Sequence, residues 1–313
     1  MRKYIALILS LTFVLALVGC DSKDNKNTPN FAEEYKDYGG TGLVLGLVNG
    51  SDPTENGVVY VDAIDDVLTV QFANLTDSDS EYILKLFVDY EETPFYYQNE
   101  RITQYVFDVT AGASVELPIS LPSETVFKNS RMLTVAILTA PDKHACDIDL
   151  MSNSYGVVLS YELAQREQLR KIQLNSKPMD AELYQELSFQ GVMLNTDFDT
   201  TDDSATQFPP KQLNAKAGEE VTLAYRVGNY EKTKELLVVV LVDWVQQEVN
   251  GAKYIHLVNN EGFVGYGTIR FVAPTIPGKY EIVAFAVDNP SLEKNYDTFH
   301  THETAYRFTL VVE

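Results

Sequence analysis

Two histidines near the end of the chain, in His300-Thr301-His302-Glu303, have a spacing that suits metal binding. Alternate residues of a β-strand share one face, so these two imidazoles would lie side by side. Imidazole nitrogens bind zinc and related metals, but two ligands do not complete a site, and His256 joins them only if folding brings it near. The pattern predicts either the start of a metal site at His300 and His302 or polar residues at the rim of the last strand.

An acidic run from Thr196 to Ser204 contains Asp197, Asp199 and Asp202 and is a second candidate metal site. Carboxylate oxygens are the ligands that calcium prefers. The run lacks the glycine and the terminal glutamate of an EF-hand loop. A calcium site between two β domains and a hydrated acidic loop both fit this composition, and we predict no other cofactor.

Cys146 has a possible base, His144, two residues before it. The carboxylates that flank Cys146 oppose thiolate formation, so we expect an inert thiol. The sequence contains no nucleophile elbow, zinc-binding helix motif, dinucleotide-binding turn or phosphate loop, and its 45 acidic residues make any one carboxylate pair uninformative. These features favour a protein that is not an enzyme, with an extracytoplasmic hydrolase or its carbohydrate-binding subunit as the alternative.

The aromatic run Phe95-Tyr96-Tyr97 follows Pro94 and lies just beyond a predicted strand. Tyrosine joins an apolar ring to a hydroxyl, which suits stacking on sugars or docking on protein surfaces. The matching part of a later repeat, residues 246–251, has no aromatic residue, so the shared fold does not require the run. We predict ligand contact at Phe95, Tyr96 and Tyr97, with packing on a neighbouring strand as the alternative.

Two similar strands organise the elements that must position these residues: EYILKLFVDY, residues 81–90, and ELLVVVLVDW, residues 235–244. Counted back from the final aromatic, Tyr90 or Trp244, alternate residues form an apolar face. The opposite face is mixed in the first strand and mostly apolar in the second, which indicates the middle of a sheet. Asp89 and Asp243 recur before the aromatics, which predicts a structural role at the strand end, with backbone N–H groups as partners.

The two strands belong to an internal repeat of the chain. Other matched segments begin at residues 42 and 191, at 67 and 221, at Met132 and Tyr280, and at 155 and 305. Many strands at short spacing and no long periodic helix predict an all-β protein of two tandem antiparallel β-sandwich domains. We place these domains at residues 42–163 and 191–313, joined by a linker at 164–190 that has room for a short helix.

The second copy resembles the bacterial immunoglobulin-like (Ig-like) modules of surface proteins. The resemblance rests on AGEEVTL, residues 217–223, which opens a strand, and on PGKYEI, residues 277–282, a turn that enters a late strand. It implies that Tyr280 lies near a corner of the sandwich and that Trp244 takes the place of a core aromatic. The first copy has Asn-Ser-Arg-Met at residues 129–132 instead of that turn, and neither copy has the cysteine pair of antibody domains.

The first 19 residues read as an export signal, with Arg2 and Lys3 before an apolar segment. The end of this segment, Leu17-Val18-Gly19-Cys20, resembles the bacterial lipobox, in which the cysteine carries a lipid after cleavage before it. The resemblance implies lipidation at Cys20 and attachment to the outer face of the cytoplasmic membrane or to another envelope membrane. Residues 20–41 are rich in polar residues and are expected to be a flexible tether.

The formal net charge of −21 argues against a nucleic-acid partner, because phosphates need a basic surface. The sequence therefore predicts a lipid-anchored, extracytoplasmic protein with a role in binding, adhesion or support of an envelope complex. Its expected partners are the membrane, through the lipid, and a protein or glycan at the cell surface. A calcium-dependent structural spacer is a further alternative.

Overall fold

The computed structural model describes residues 42–49, 57–61, 66–123, 131–147, 156–165, 174–187, 189, 191–200, 207–228, 233–291, 301–303 and 307–313. These residues form β-strands, turns and a 3₁₀ turn at Ala145–Asp147, and no α-helix occurs among them. This part of the chain accordingly holds no helix of the length and apolar character that a membrane crossing needs. The predicted signal segment, Cys20 and the predicted tether lie outside the described residues.

The first sandwich contains two sheets that pack on each other. Outer sheet 1 has the strand order β1-β3-β9, and inner sheet 1 has the order β2-β11-β10-β4-β5, with β8 also paired to β4. The strands of this half of the chain are β1 (Leu43–Asn49), β2 (Val58–Tyr60), β3 (Leu68–Asn74), β4 (Ser80–Val88), β5 (Glu91–Glu92), β6 (Phe95–Tyr97), β7 (Glu100–Ile102), β8 (Tyr105–Val109), β9 (Ser114–Ile119), β10 (Arg131–Thr139) and β11 (Gly156–Ala164).

The second sandwich repeats this arrangement. Outer sheet 2 has the order β12-β19-β15-β13, and inner sheet 2 has the order β14-β22-β20-β16-β17, with β18 also paired to β16. Its strands are β12 (Leu183–Glu186), β13 (Gly191–Asn195), β14 (Gln212–Ala215), β15 (Glu220–Gly228), β16 (Glu235–Val242), β17 (Val245–Gln246), β18 (Ile255–Val258), β19 (Phe263–Val272), β20 (Gly278–Asp288) and β22 (Phe308–Val312). Between β20 and β22, strand β21 (Thr301–Glu303) pairs with β11 of the first sandwich.

The sheet topology confirms two Ig-like sandwiches built on one plan. Among the described strands, all pairs are antiparallel except β2 with β11 and β14 with β22, which are parallel at equivalent places in the two copies. In one respect the sequence alignment is wrong by one residue. The alignment matched Leu133 with Glu281. In the structure, Val88 pairs with Leu133, and Val242, the equivalent of Val88, pairs with Ile282, so Leu133 corresponds to Ile282. A shift of one residue moves every side chain of a strand to the other face of the sheet.

Each sandwich has its own core between its outer and inner sheets, and the central strands supply the predicted faces. Tyr82, Leu84, Leu86 and Val88 point into the first core. Leu236, Val238, Val240 and Val242 point into the second. Alternation along the strand therefore assigned these eight residues correctly.

The two inner sheets pack against each other and enclose a third core. Ile83 and Phe87 from β4 meet Leu237 and Phe285 from the second sandwich, and the rings of Phe87 and Phe285 are 5.3 Å apart in an edge-to-face arrangement. These residues lie on the face that the sequence showed to be mixed in one copy and apolar in the other. The molecule is therefore a stack of four sheets, and both inner faces are covered.

Tyr90 and Trp244 do not belong to the core of either sandwich, which corrects the expected position of Trp244. Each is the second residue of a two-residue hairpin turn and has a positive φ, 68° for Tyr90 and 66° for Trp244. The turn directs both aromatics into the third core. Asp89 and Asp243 precede them at φ of 49° and 51°, a conformation that aspartate tolerates better than most residues. Asp89 also accepts a hydrogen bond from the Met132 N–H of β10 at 3.0 Å.

The two hairpins are hydrogen-bonded to each other. The Glu92 N–H donates to Gln246 Oε1 at 2.7 Å, and the Gln246 N–H donates to Glu92 Oε2 at 2.7 Å. Both residues lie two positions after their turn aromatic, Tyr90 or Trp244. This reciprocal pair relates the two copies by an approximate two-fold axis.

The stretch that the sequence assigned to a linker, residues 164–190, contains folded structure. Within it, β12 pairs with β19 and extends outer sheet 2, and Met179 forms a bridge with Leu257. Residues 166–173, where a short helix was expected, lie outside the described residues.

Candidate functional site

The hairpin of β6 and β7 carries the predicted aromatic run. Gln98 and Asn99 form its turn with φ of 51° and 68°, and Tyr96 pairs with Arg101 across it. The hairpin is joined to the end of outer sheet 1, because the backbones of Tyr96 and Ser120 exchange hydrogen bonds of 2.8 and 3.0 Å. The equivalent connection of the second copy, between β17 and β18, contains only an isolated bridge.

Phe95 is completely buried in the first core, so its prediction as a ligand contact is wrong. Residues of a strand point alternately to its two faces, and the first residue of this run faces inward. The alternative that the sequence left open, packing on neighbouring strands, describes Phe95.

Tyr97 is half-buried and forms part of a row of aromatic rings. Its ring centroid is 4.2 Å from that of Tyr105, which stacks on Phe107 at 5.8 Å with nearly parallel planes. The hydrogen bond with Tyr97 raises the pKa of Tyr105, with a smaller contribution from burial. This row supports the hairpin from the core side and keeps one edge of Tyr97 at the surface.

Tyr96 is the exposed member of the run, with 36% of its surface accessible. Its neighbours at the surface are polar or charged: Gln98, Asn99, Glu100 and Arg101 are all exposed. The result is a tyrosine ring held on a paired hairpin, with Arg101 directly across from it. Such a surface can stack on a flat apolar face and hydrogen-bond at its rim.

The histidines do not form a metal site in the described part of the chain. His256 is buried, with Nδ1 2.9 Å from Ser176 Oγ and Nε2 3.2 Å from Glu235 Oε2, so both ring nitrogens are engaged. His302 lies in β21, where its backbone pairs with Val158, and His300 lies outside the described residues. Nowhere among the residues described do three or more histidine, cysteine, aspartate or glutamate side chains gather as metal ligands would.

The acidic run is organised by contacts of its own backbone. Asp197 Oδ1 accepts a hydrogen bond from the Phe198 N–H at 2.8 Å. The backbone of Asp199 is held by the Gln207 side chain through hydrogen bonds of 2.7 and 2.8 Å. Asp202 lies outside the described residues. Asp197 and Asp199 therefore do not form part of a three-ligand site within the described structure.

Cys146 and His144 lie in a loop of the first sandwich that docks on the second. The Cys146 thiol is 3.5 Å from Asp147 Oδ1, whereas His144 Nδ1 faces Glu281 at 3.4 Å. The Cys146 N–H donates to Thr309 Oγ1 at 3.0 Å. The backbone of Cys146 and the side chain of His144 thus contact the second sandwich, whereas the Cys146 thiol contacts its neighbour Asp147.

A buried charge cluster of Glu281 and Arg307, which sequence reasoning missed, holds this loop. Both side chains are 1% exposed, and Arg307 Nε is 3.3 Å from Glu281 Oε2. Arg307 also donates to the carbonyls of Thr139, Ala140 and Lys143 at 2.7, 3.0 and 3.1 Å. Burial lowers the pKa of Arg307, and Glu281 offsets part of this effect. No spacing in the sequence signals the cluster, because its contacts with the loop at residues 139–145 join segments more than a hundred residues apart.

The sequence matches no protein-family model and no curated protein. Among solved structures, red sea bream transglutaminase is similar over 90% of this chain and 33% of its own length, at 12% identity and a TM-score of 0.23. The C-terminal domain of the Streptococcus pyogenes antigen I/II-family protein AspA matches 87% of this chain and 99% of its own length, at 10% identity and a TM-score of 0.24. The periplasmic chaperone SfaE matches 87% and 100%, at 12% identity and a TM-score of 0.25. Likenesses this distant carry no functional argument.

Proposed function

We propose that this protein is a non-enzymatic, lipid-anchored binding protein of the bacterial envelope, and that Tyr96 on the β6–β7 hairpin is the centre of its ligand-contact surface. The observation that carries the proposal is the exposure of Tyr96 on a hairpin that only the first copy contains. A feature that one copy has and its duplicate lacks is not needed by the fold. An exposed aromatic on such a hairpin is free to contact a ligand.

The ligand class that suits this surface is a glycan. The centre of a protein–protein interface is depleted of charged residues. Here Arg101 lies across the hairpin from Tyr96, and the turn carries the exposed amides of Gln98 and Asn99. A tyrosine ring ringed by hydrogen-bonding groups fits a sugar, which presents an apolar face and hydroxyls at its rim.

The packing of the inner sheets supports this choice of surface. In the third core, Phe87, Trp244 and Phe285 are at least nine-tenths buried, so the inner faces are closed to ligands. Binding then falls to the outer sheets, the hairpins and the loops. The β6–β7 hairpin is joined to the end of outer sheet 1.

A glycan array probed with the full-length protein in detergent tests the ligand proposal. Tyr96→Ala should remove binding, whereas Phe263→Ala, which truncates an aromatic of similar exposure (40%) in the second sandwich, should keep it. Retained binding by Tyr96→Ala, or equal losses in both variants, would contradict the proposed surface. A protein partner would instead appear as no array binding together with a Tyr96-dependent complex on cells.

Lipid attachment is tested separately, by metabolic labelling with palmitate. The wild-type protein should incorporate the label, and Cys20→Ala should not, because its thiol is the proposed attachment point. Cys146→Ala is the matched control, since it removes the other cysteine of the chain and should leave labelling intact.

A further inference from the structure

A small recess lies on the outward side of outer sheet 2. Its volume is about 200 Å³, and its lining includes Glu182, Asp197, Phe198, Ala224, Tyr266 and Thr268. Tyr225 points into the core of the sandwich, so its neighbour Ala224 faces outward and forms part of the floor. Water in the liquid takes about 30 Å³ per molecule, so this space equals roughly six or seven waters.

The walls of the recess are aromatic. Phe198 and Tyr266 are buried in a small cluster on this face of the sheet, and their ring centroids are 5.9 Å apart with planes at 68°. The faces of aromatic rings carry negative electrostatic potential and attract cations.

Two carboxylates stand at the mouth of the recess. Asp197 uses Oδ1 to accept the Phe198 N–H, and Glu182 uses Oε1 to accept the N–H and hydroxyl of Thr268 at 3.0 and 2.9 Å. Each has a second oxygen that no described residue engages. Both side chains are exposed, so these oxygens can meet a ligand that arrives from solvent.

One positive group, Arg226, lies behind the recess. Its guanidinium carbon is 4.3 Å from the ring centroid of Phe189 and 5.2 Å from that of Phe198, and its side chain is fully buried. Burial lowers the pKa of Arg226, and the Tyr266 hydroxyl opposes this effect. Two carboxylates against one guanidinium leave the recess negative, and the protein as a whole carries −21. The cluster already holds one organic cation against its rings.

We propose that the recess binds a primary alkylammonium group, supplied either by a free small amine or by a lysine side chain. The alkyl chain would lie against the adjoining rings of Phe198 and Tyr266. The ammonium group would donate hydrogen bonds to the second oxygens of Asp197 and Glu182. This site is separate from the β6–β7 hairpin and does not depend on the function proposed for it.

Titration of n-butylammonium into the full-length protein, followed by calorimetry, tests this site. The wild-type protein should bind it saturably, and 1-butanol, the neutral analogue, should not. Asp197→Asn combined with Glu182→Gln keeps the Oδ1 and Oε1 acceptors and should weaken binding by about tenfold or more. Phe198→Leu should also weaken it, because this change removes a ring against which the alkyl chain packs.

Glu261→Gln is the matched control, because it removes one carboxylate from an exposed position of the second sandwich outside the recess. An equal loss in Glu261→Gln, binding of 1-butanol as tight as that of butylammonium, or no saturable binding would overturn the proposal. Nα-acetyl-lysine amide distinguishes the sources: tighter binding than butylammonium identifies a lysine side chain, and weaker binding identifies a free amine. Tyr96→Ala should leave all of these values unchanged.

Discussion

Replacement of Arg307 by methionine should uncouple the two sandwiches. Arg307 belongs to the second sandwich, yet it donates to three carbonyls of the first and lies 3.3 Å from Glu281. Methionine keeps an unbranched apolar chain of similar length and removes the charge and all the donors. The variant therefore tests the polar part of the contact with little change in packing.

The expected magnitude follows from the burial of the pair. Removal of one partner of a buried ion pair costs about 3–5 kcal/mol, because it leaves the other charge uncompensated. Glu281 would keep hydrogen bonds from the Ala145 N–H and from the Thr309 hydroxyl, which limits its loss. The carbonyls of the 139–143 loop would lose a charged donor, at about 1–3 kcal/mol for each one that water cannot reach. We expect a loss of about 3–5 kcal/mol in the free energy of unfolding.

Urea unfolding followed by fluorescence measures this loss. Trp244 is the only tryptophan and lies in the third core, 5.5 Å from the Arg307 guanidinium, so it reports on the contact between the sandwiches. The wild-type protein should show one cooperative transition. In Arg307→Met, the Trp244 signal should change at a lower urea concentration than the far-ultraviolet circular dichroism.

Lys279→Met is the matched control, because Lys279 forms an exposed ion pair with Asp147 across the same contact. Exposed pairs contribute little, so its unfolding curve should match that of the wild type. Glu281→Gln combined with Arg307→Met should cost less than the sum of the two single changes, since the two groups compensate each other. A loss below about 1 kcal/mol in Arg307→Met, or an equal loss in Lys279→Met, would refute the reasoning.

Three further predictions concern stability. Burial raises the pKa of Tyr82 and of Tyr225 to about 12, whereas tyrosine in the unfolded chain titrates near 10, so the unfolded chain releases these protons first. The free energy of unfolding should therefore stay constant below pH ~10. Between pH ~10 and pH ~12 it should fall by at most about 1.4 kcal/mol per pH unit for each tyrosine. A urea series across this range should show a shallower slope for Tyr82→Phe, and unchanged slopes would be evidence against the mechanism. Phe95→Ala should lower the free energy of unfolding by about 3–5 kcal/mol because it opens a cavity in the first core, whereas Tyr96→Ala should lower it by less than about 1 kcal/mol. Similar midpoints of urea unfolding for the two variants would show that the inward and outward faces of the hairpin are assigned wrongly. Asp89→Val should lower the melting temperature, because valine at φ 49° adds about 1–3 kcal/mol of backbone strain. Asp89→Asn should lower the melting temperature less, because asparagine tolerates this conformation. The reverse order of the two melting temperatures would contradict the turn geometry.

Much of the fold could be predicted from the sequence, because alternation and repetition both act locally. The apolar faces of β4 and β16 follow from a period of two residues, and the pair Asp89 and Asp243 signals the same turn in both copies. The one-residue error at Leu133 arose because β10 and β20 are apolar on both faces over most of their length. Neither face then fixes the register by its pattern.

The third core could not be assigned from the sequence, although its residues were visible. Apolar residues on both faces of β16 indicated that a second face is covered, but the period of a strand does not identify what covers it. The answer depends on which sheets meet, and contacts such as that of Phe87 with Phe285 join residues 198 positions apart. The buried pair of Glu281 and Arg307 could not be recognised from the sequence either. Each residue resembles an ordinary surface charge, and the loop that they hold lies more than a hundred positions away in the chain.

The candidate site was predicted in part. Comparison of the two copies located the β6–β7 hairpin, because the aromatic run has no counterpart in the second. It did not separate Phe95 from Tyr96, whose opposite orientations depend on how the hairpin meets outer sheet 1. The recess has one signal in the sequence, the aromatic residue Phe198 between Asp197 and Asp199. The other aromatic wall of the recess comes from Tyr266, which is far from Phe198 in the chain.

Hydrogen exchange of the full-length protein, with and without a glycan that binds it on the array, tests the proposed binding surface most directly. The account predicts that the ligand slows exchange in the hairpin at residues 95–102 and leaves exchange of the inner sheets unchanged. Protection confined to the second sandwich, or slower exchange in the inner sheets without any change in the hairpin, would contradict it.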